Sequence, residues 1–543
     1  MAPPTEELVS RAVPPLVDIP VDVIFQIVNH LPIQAISRLA STCKDLKVVL
    51  GPELFRRDRT RKLFRSLQWA TSGKKHPDSI PTIERALSYW PNGTDNLQVY
   101  FKKVQAVQAR VFLVWTPLLT AIEARHLDVV ALLLFKGASV HQAEKAGKRH
   151  QPRAGVCDSL LYPLHRAVLL SDHSASQGPQ QQSTKLAMIE MLLRYGANPN
   201  QLSAETGRRV GRMITPLHMA ITNGADSRVI QLLIRWGAAA TREPYSTVPH
   251  QQLSNTSPIS HLINAYREHT EDHCASLKIL ATSGGGSSDL EARMHTETGQ
   301  PVLLEYLSRP KESRYAPRIV HILLKYTESS AQHVSTSGDA ALVHFLRSHF
   351  NWWPSTNIHP RYVTSNELEH SMGHAAGISG KIIDELLRHD ANMETAGSAD
   401  GATPLHIACG LHRNFRSIFE LLLERGARTD SKTSRGHTLL HSLVTGDSNA
   451  DYTLLAVLIK KLKLKRFARD NDGNTFLHLL VTQRLVLYGK WMAEAAKYFK
   501  RSDFDDPRSR NNAGRTPLEE ASFGSEANAE MTRFWLRHCY DEE

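Results

Sequence analysis

Five histidines occupy the same place in a recurring signal: His165, His218, His406, His441 and His478 each follow a leucine. Imidazole titrates near neutrality, so each is a candidate general base. A base is needed once, however, and these residues recur along the chain. That recurrence predicts structural groups that brace adjacent loops. His370 and His374 are four apart, as paired zinc ligands are, but Ser371 stands where a HExxH site needs glutamate. The stretch GISGKI (377–382) contains a Gly-Lys pair. A phosphate-cradling loop would need glycine at 375 and a hydroxyl at 382, where the chain has Ala375 and Ile382. No GxSxG occurs. The five cysteines (Cys43, Cys157, Cys274, Cys409, Cys539) are too far apart for a CxxC metal knuckle and read as reduced thiols. KKLKLKR (460–466) fits a helix end, where cations complement the dipole, better than a nuclear address or an anion patch. These patterns assign no catalytic residue, no cofactor-binding residue and no metal ligand.

The histidines are positioned by a repeated two-helix unit. In its clearest copy, Thr403–Asp430, Thr403 is expected to cap a helix with its hydroxyl, and Pro404 falls where a missing N–H costs nothing. Leu405, Ile407 and Ala408 continue that helix. Phe415, Ile418, Phe419, Leu421, Leu422 and Leu423 form a second, and Gly426 stops it. Such a unit buries its faces only against neighbouring copies. Further copies begin at Thr116, Tyr162, Thr215, Thr438, Thr475 and Thr516. The motif TPLHIA with its leucine helix and Gly-Ala resembles the ankyrin repeat, and the last four starts recur near that family's unit of ~33 residues.

The first part of the chain is of another kind. Residues 1–15 are a proline-containing tail, expected to be disordered. In 16–57, Ile19-Pro20 opens a helix in which Val23, Ile24, Ile27, Val28 and Leu31 recur at helical spacing. Pro32 breaks it, and Ile33, Ile36, Leu39 and Ala40 carry a second helix. Thr42 is a candidate cap for a third, through Leu46, Val49 and Leu50 to Gly51-Pro52. Three short helices give little core. The two proline breaks followed by Cys43-Lys44-Asp45-Leu46 resemble the F-box. Ile19 and Thr42 depart mildly from its leucine and valine. The resemblance implies docking onto the SKP-type adaptor of a cullin–RING ubiquitin ligase. It places Pro20, Ile24, Ile27, Leu31, Pro32, Ile36 and Leu39 in the module's core or at that interface.

Residues 58–110 read as a linker or a degenerate first repeat, and 111–543 as the ankyrin array. That array carries a polar insertion at 173–184 and a glycine-serine stretch at 283–288. In 340–395, ALVHFLRSHF resembles a first helix and KIIDELLRHDANME a second. The whole is expected to be all-α: a three-helix F-box, then an α-solenoid of about nine to twelve repeats.

Composition sets limits on function. The chain has 543 residues, 41% hydrophobic and 22% charged, with a formal net charge of +11. Lys and Arg are spread along it, so the basic balance is read as solvated surface rather than a nucleic-acid site. The longest apolar run, Val111–Ile122, is shorter than the ~20 residues of a membrane span. The N-terminus lacks a basic end and apolar block, and an intracellular, cytoplasmic or nuclear location is expected. The function implied is a non-catalytic substrate receptor of an SCF-type ligase, holding a client protein on its repeats. The alternative is an ankyrin scaffold or inhibitor that acts without ubiquitylation.

Overall fold

A computed structural model describes residues 19–540 apart from 61–63, 73–76, 90–96, 98–100, 104–112, 147–160, 171–179, 205–212, 225, 241–256, 267–268, 284–300, 309–312, 327–330, 353–364, 447–449, 484–487 and 525. Side chains at some further positions, 351–374 among them, are also outside the description, which leaves out those of His370 and His374. The chain divides into two compact units, 1–239 with 245–254 and 240–244 with 255–543.

The first unit begins with three helices, α1 (Val21–His30), α2 (Ile33–Ala40) and α3 (Lys44–Thr60). The prolines act as the sequence suggests: Pro20 and Pro32 sit at the N-caps of α1 and α2. Ile24, Val28, Ile36, Ala40, Leu46 and Leu50 form one core. Two details differ from expectation. The Thr42 hydroxyl turns back to donate to the Leu39 carbonyl (2.7 Å), and the Cys43 Sγ accepts from the Leu46 N–H instead. The helix α3 also continues through Pro52. Proline there removes only the donor to the carbonyl of residue 48, and Val48 lies on the solvent side, 76% exposed.

In the last turn of α3, buried Asp58 accepts from the N–H groups of Arg65 (2.8 Å) and Ser66 (2.9 Å), the first residues of α4 (Arg65–Ser72). A carboxylate on otherwise unpartnered helix donors also favours the dipole. Four helical hairpins follow among the described residues of this unit: α4 with α5 (Ser79–Ser88), α6 (Pro117–Glu123) with α7 (Leu127–Phe135), α8 (Pro163–Leu169) with α9 (Gln180–Arg194), and α10 (Pro216–Thr222) with α11 (Ser227–Arg235). First helices pack on first helices and second on second through the series. The 58–110 segment thus contains a hairpin in the same two columns, with Leu67, Ala70, Ile83 and Ala86 buried. Helix α9 starts at Gln180, inside the polar insertion.

The second unit stacks seven hairpins among its described residues: α12 (Pro258–Ala265) with α13 (Glu271–Thr282), α14 (Val302–Leu307) with α15 (Ala316–Tyr326), α16 (Ala341–Trp352) with α17 (Ser365–Arg388), α18 (Pro404–Cys409) with α19 (Arg416–Glu424), α20 (Leu439–Thr445) with α21 (Leu454–Ala456, continued as a π-turn to Lys461), α22 (Phe476–Thr482) with α23 (Tyr488–Ala496), and α24 (Pro517–Gly524) with α25 (Glu526–Tyr540). The hairpins of the two units together fall within the expected nine to twelve. Among the described residues the strands are all of two or three residues, in loops of the first unit, so the architecture is all-α. GISGKI lies inside α17, where a helix cannot cradle phosphate. Lys460 and Lys461 end the π-turn.

The 403–430 copy shows why each unit folds. Pro404 is the first helical residue and Leu405, Ile418, Phe419 and Leu422 are fully buried. Gly426 takes φ +89°, the left-handed stop. Thr403 departs from expectation: its hydroxyl makes no bond to the helix N–H groups and instead meets the His406 Nδ1 at 2.8 Å. The histidine three residues on competes for the same oxygen.

Candidate functional site

Two of the histidines, His441 and His478, share one repeated arrangement. His441 Nδ1 accepts from the Thr438 N–H (3.2 Å) and meets its hydroxyl (2.8 Å). The acceptor role at Nδ1 places the proton on Nε2, which donates to the Asn474 carbonyl in the next repeat's loop (3.1 Å). His478 repeats this with Thr475 and with the Arg515 carbonyl (3.0 Å). Burial holds His406, His441 and His478 below the usual histidine range and pushes His165 down to about 4. These rings are neutral structural links.

The loops that receive them form a ladder. Ser434 N–H donates to the Asp400 carbonyl (2.8 Å), Asn471 N–H to Arg435 (2.9 Å) and Asn512 N–H to Asp472 (2.9 Å). Each rung joins one loop tip to the next. Gly436 permits this twice over: its φ is +78°, and a Cβ there would collide with Asn471. The result is a continuous backbone ridge beside the first helices.

Between ridge and first helices lies an open groove of about 580 Å³ in the second unit. Its lining comes from consecutive repeats: Arg347 on α16, Asp400 on a loop tip, Ile407 on α18 and Gly410 at its C-cap, Arg435 on the next tip and Ser442 on α20. The floor is narrow because Gly410 and Gly446 touch through backbone; a Cβ at Gly446 would fall within the carbonyl and Cα of Gly410. Arg347 is held by Asp339 (3.3 Å) and Asp400. Arg435 is exposed and has no acidic partner among the described residues. An arginine so placed is a free donor fork for a carboxylate or a backbone carbonyl.

A second surface lies on the N-terminal helices. The seven residues singled out there divide in two. Ile24 (4% exposed) and Ile36 (0%) are core, whereas Pro20, Ile27 (44%) and Pro32 are exposed and Leu31 and Leu39 are half-buried. Leu31, Pro32 and Leu39 line a shallow groove of about 760 Å³ with Gln34, Ala35, Arg38 and Thr42. Val21 and Val23 extend the exposed apolar face along α1. Arg57 fixes this surface from behind, donating to the Leu31 carbonyl (3.1 Å) and to Asn29 Oδ1 (2.9 Å) while paired with Glu53.

Sequence reasoning overlooked one constellation. His321 on α15 lies 3.0 Å from Glu385 on α17, with His389 beside both. The Glu385/His389 spacing, one helical turn, was the available signal.

A family model for the ankyrin repeat matches residues 115–145 and 400–434. Among solved structures, the ankyrin repeat domain of Bcl-3, titled a unique member of the IkappaB protein family, is 19% identical. The match covers 52% of this chain and 93% of that one, with a TM-score of 0.33. No curated protein matches the chain. Among the described residues, no helix is long and apolar enough to cross a membrane. The stretches 115–145 and 400–434 are ankyrin repeats, and the fold is an all-α ankyrin-repeat solenoid.

Proposed function

We propose that this chain is a substrate receptor of an SCF-type cullin–RING ubiquitin ligase and makes no bonds itself. Residues 16–57 act as the F-box, 58–110 continue into the array, and 111–543 hold a client protein. The observation that carries the reading is the exposed apolar surface of a small three-helix module: Val23 and Ile27 one turn apart on α1, and the groove lined by Leu31, Pro32 and Leu39, over a core that already contains Ile24 and Ile36. Single exposed apolar residues are ordinary, but a contiguous set beside a groove marks a docking surface. The occupant is the SKP-type adaptor. Pro20, Ile27, Leu31, Pro32 and Leu39 contact it, and Ile24 and Ile36 hold the surface from within.

The client binds in the groove between Asp400 and Gly446 and along the loop ridge. Tethering client and conjugating enzyme to one assembly raises the effective concentration of client lysines near the thioester, often to the millimolar range, about 10²–10⁴-fold in avidity. The compartment is intracellular.

The test is co-purification of the full chain with the adaptor. A Val23→Glu/Ile27→Glu variant changes only exposed positions, so its circular dichroism should match wild type while adaptor binding is lost. Wild type that fails to bind the adaptor, or a variant that binds equally well, refutes the reading. In the first case the chain acts as an ankyrin scaffold or inhibitor.

A further inference from the structure

The three residues His321, Glu385 and His389 do not belong to either surface described above. They come from the second helices of two successive repeats. Glu385 stands on the last turn of α17, His389 lies just past its end, and His321 faces them from α15. His321 Nδ1 and Glu385 Oε2 are 3.0 Å apart, the His321 and His389 rings are 5.8 Å apart at 63°, and one ligand atom from each residue lies within 4.8 Å of the other two. All three are half-buried, with one side open to solvent.

We propose that His321, Glu385 and His389 form a binding site for a divalent transition metal, zinc by its donor set, which clips α15 to α17. Two imidazoles and one carboxylate are the borderline ligands that zinc takes, and three protein ligands leave a fourth position for water or a partner's side chain. Tetrahedral zinc places its nitrogen and oxygen ligands about 3.4 Å apart at bond lengths near 2.1 Å. The largest separation here must shrink by about 1.4 Å, within reach of a rotamer change at half-exposed side chains. Arg388 holds the other carboxylate oxygen of Glu385 (2.6 Å). That contact leaves Oε2 for the metal and orients the carboxylate, as outer partners of metal ligands do.

The test uses the full chain stripped with EDTA, then titrated with Zn²⁺ in a calorimeter and, separately, with Co²⁺ while visible absorption is followed. The expected result is one Zn²⁺ per chain and the intense visible band of four-coordinate cobalt. His389→Ala and His321→Ala should each weaken Zn²⁺ binding by at least about tenfold and abolish the cobalt band. Both positions are half-exposed, so circular dichroism should be unchanged. His30→Ala, on an exposed histidine elsewhere, is the control and should bind as wild type does. Wild-type affinity in the two site variants overturns the proposal. So does an equal loss in the control, or cobalt that stays six-coordinate and pale.

Discussion

Acid should loosen the first unit through His165. The ring is fully buried on α8, and burial holds its pKa at about 4 against 6.5 when free. The backbones of Gln201 and Ile214 oppose that shift only in part. A depressed pKa means the unfolded chain binds the proton more readily, so the stabilisation is complete above pH 6.5 and is lost as pH falls toward 4. With these two values, the loss between pH 7.5 and pH 5 is about 2 kcal/mol, on a limit of about 3.4 kcal/mol below pH 4. Glu144, in the same unit, works the other way: desolvation raises its pKa, so acid relieves it. The comparison must therefore be between wild type and His165→Leu, which shares Glu144. Leucine fills the buried site without a titrating group.

The assay is urea unfolding of both proteins at pH 7.5, 6.5, 5.5 and 5. The wild-type curve should fall below that of the variant by about 2 kcal/mol more at pH 5 than at pH 7.5. Two parallel curves would refute the argument. So would an imidazole NMR titration that places His165 near 6.5.

Other substitutions test the remaining links. Gly446→Ala puts a methyl into the Gly410 backbone and should cost about 1–3 kcal/mol, read as a lower melting temperature. Asp58→Ala leaves the first N–H groups of α4 without their carboxylate and should cost about 1–2 kcal/mol in denaturant unfolding. Leu422→Ala, at a fully buried site, should cost about 2–5 kcal/mol by thermal melt. Thr403→Val removes the partner of buried His406 Nδ1 and should cost about 1–3 kcal/mol. That is the penalty of an unpaired polar atom rather than of a lost helix cap.

What could be read from the sequence was what the chain decides locally. Proline at the first helical position, glycine at the stop and the apolar period of each helix act within a few residues, and they placed α18 and α19 nearly to the residue. The core of the N-terminal helices was legible for the same reason, since Ile24, Val28 and Ile36 follow a helical period. What escaped were competitions and long-range partners. Thr403 has two acceptable partners three residues away, and only packing chooses the ring. Pro52 reads as a stop, yet the helix continues because its lost bond lies toward solvent. Glu385 and His321 are 64 residues apart, and a single sequence carries no trace of their meeting.

The same competition leaves His441 and His478 without the free lone pair a catalytic base needs. A general base needs a nitrogen lone pair facing a substrate and a pKa near the working pH. In His441 the Nδ1 lone pair is taken by Thr438, the Nε2 proton is given to the Asn474 carbonyl, and burial disfavours the charged form. His478 is committed in the same way by Thr475 and Arg515. These two rings each span from the start of their own helix to the loop of the next repeat, which a threonine or serine is too short to do and a charged lysine could do only by burying its charge. Imidazole alone offers an acceptor and a donor at opposite edges of one rigid ring. The position in the repeat therefore selects histidine for its geometry, and the burial that comes with that position disfavours the charged ring.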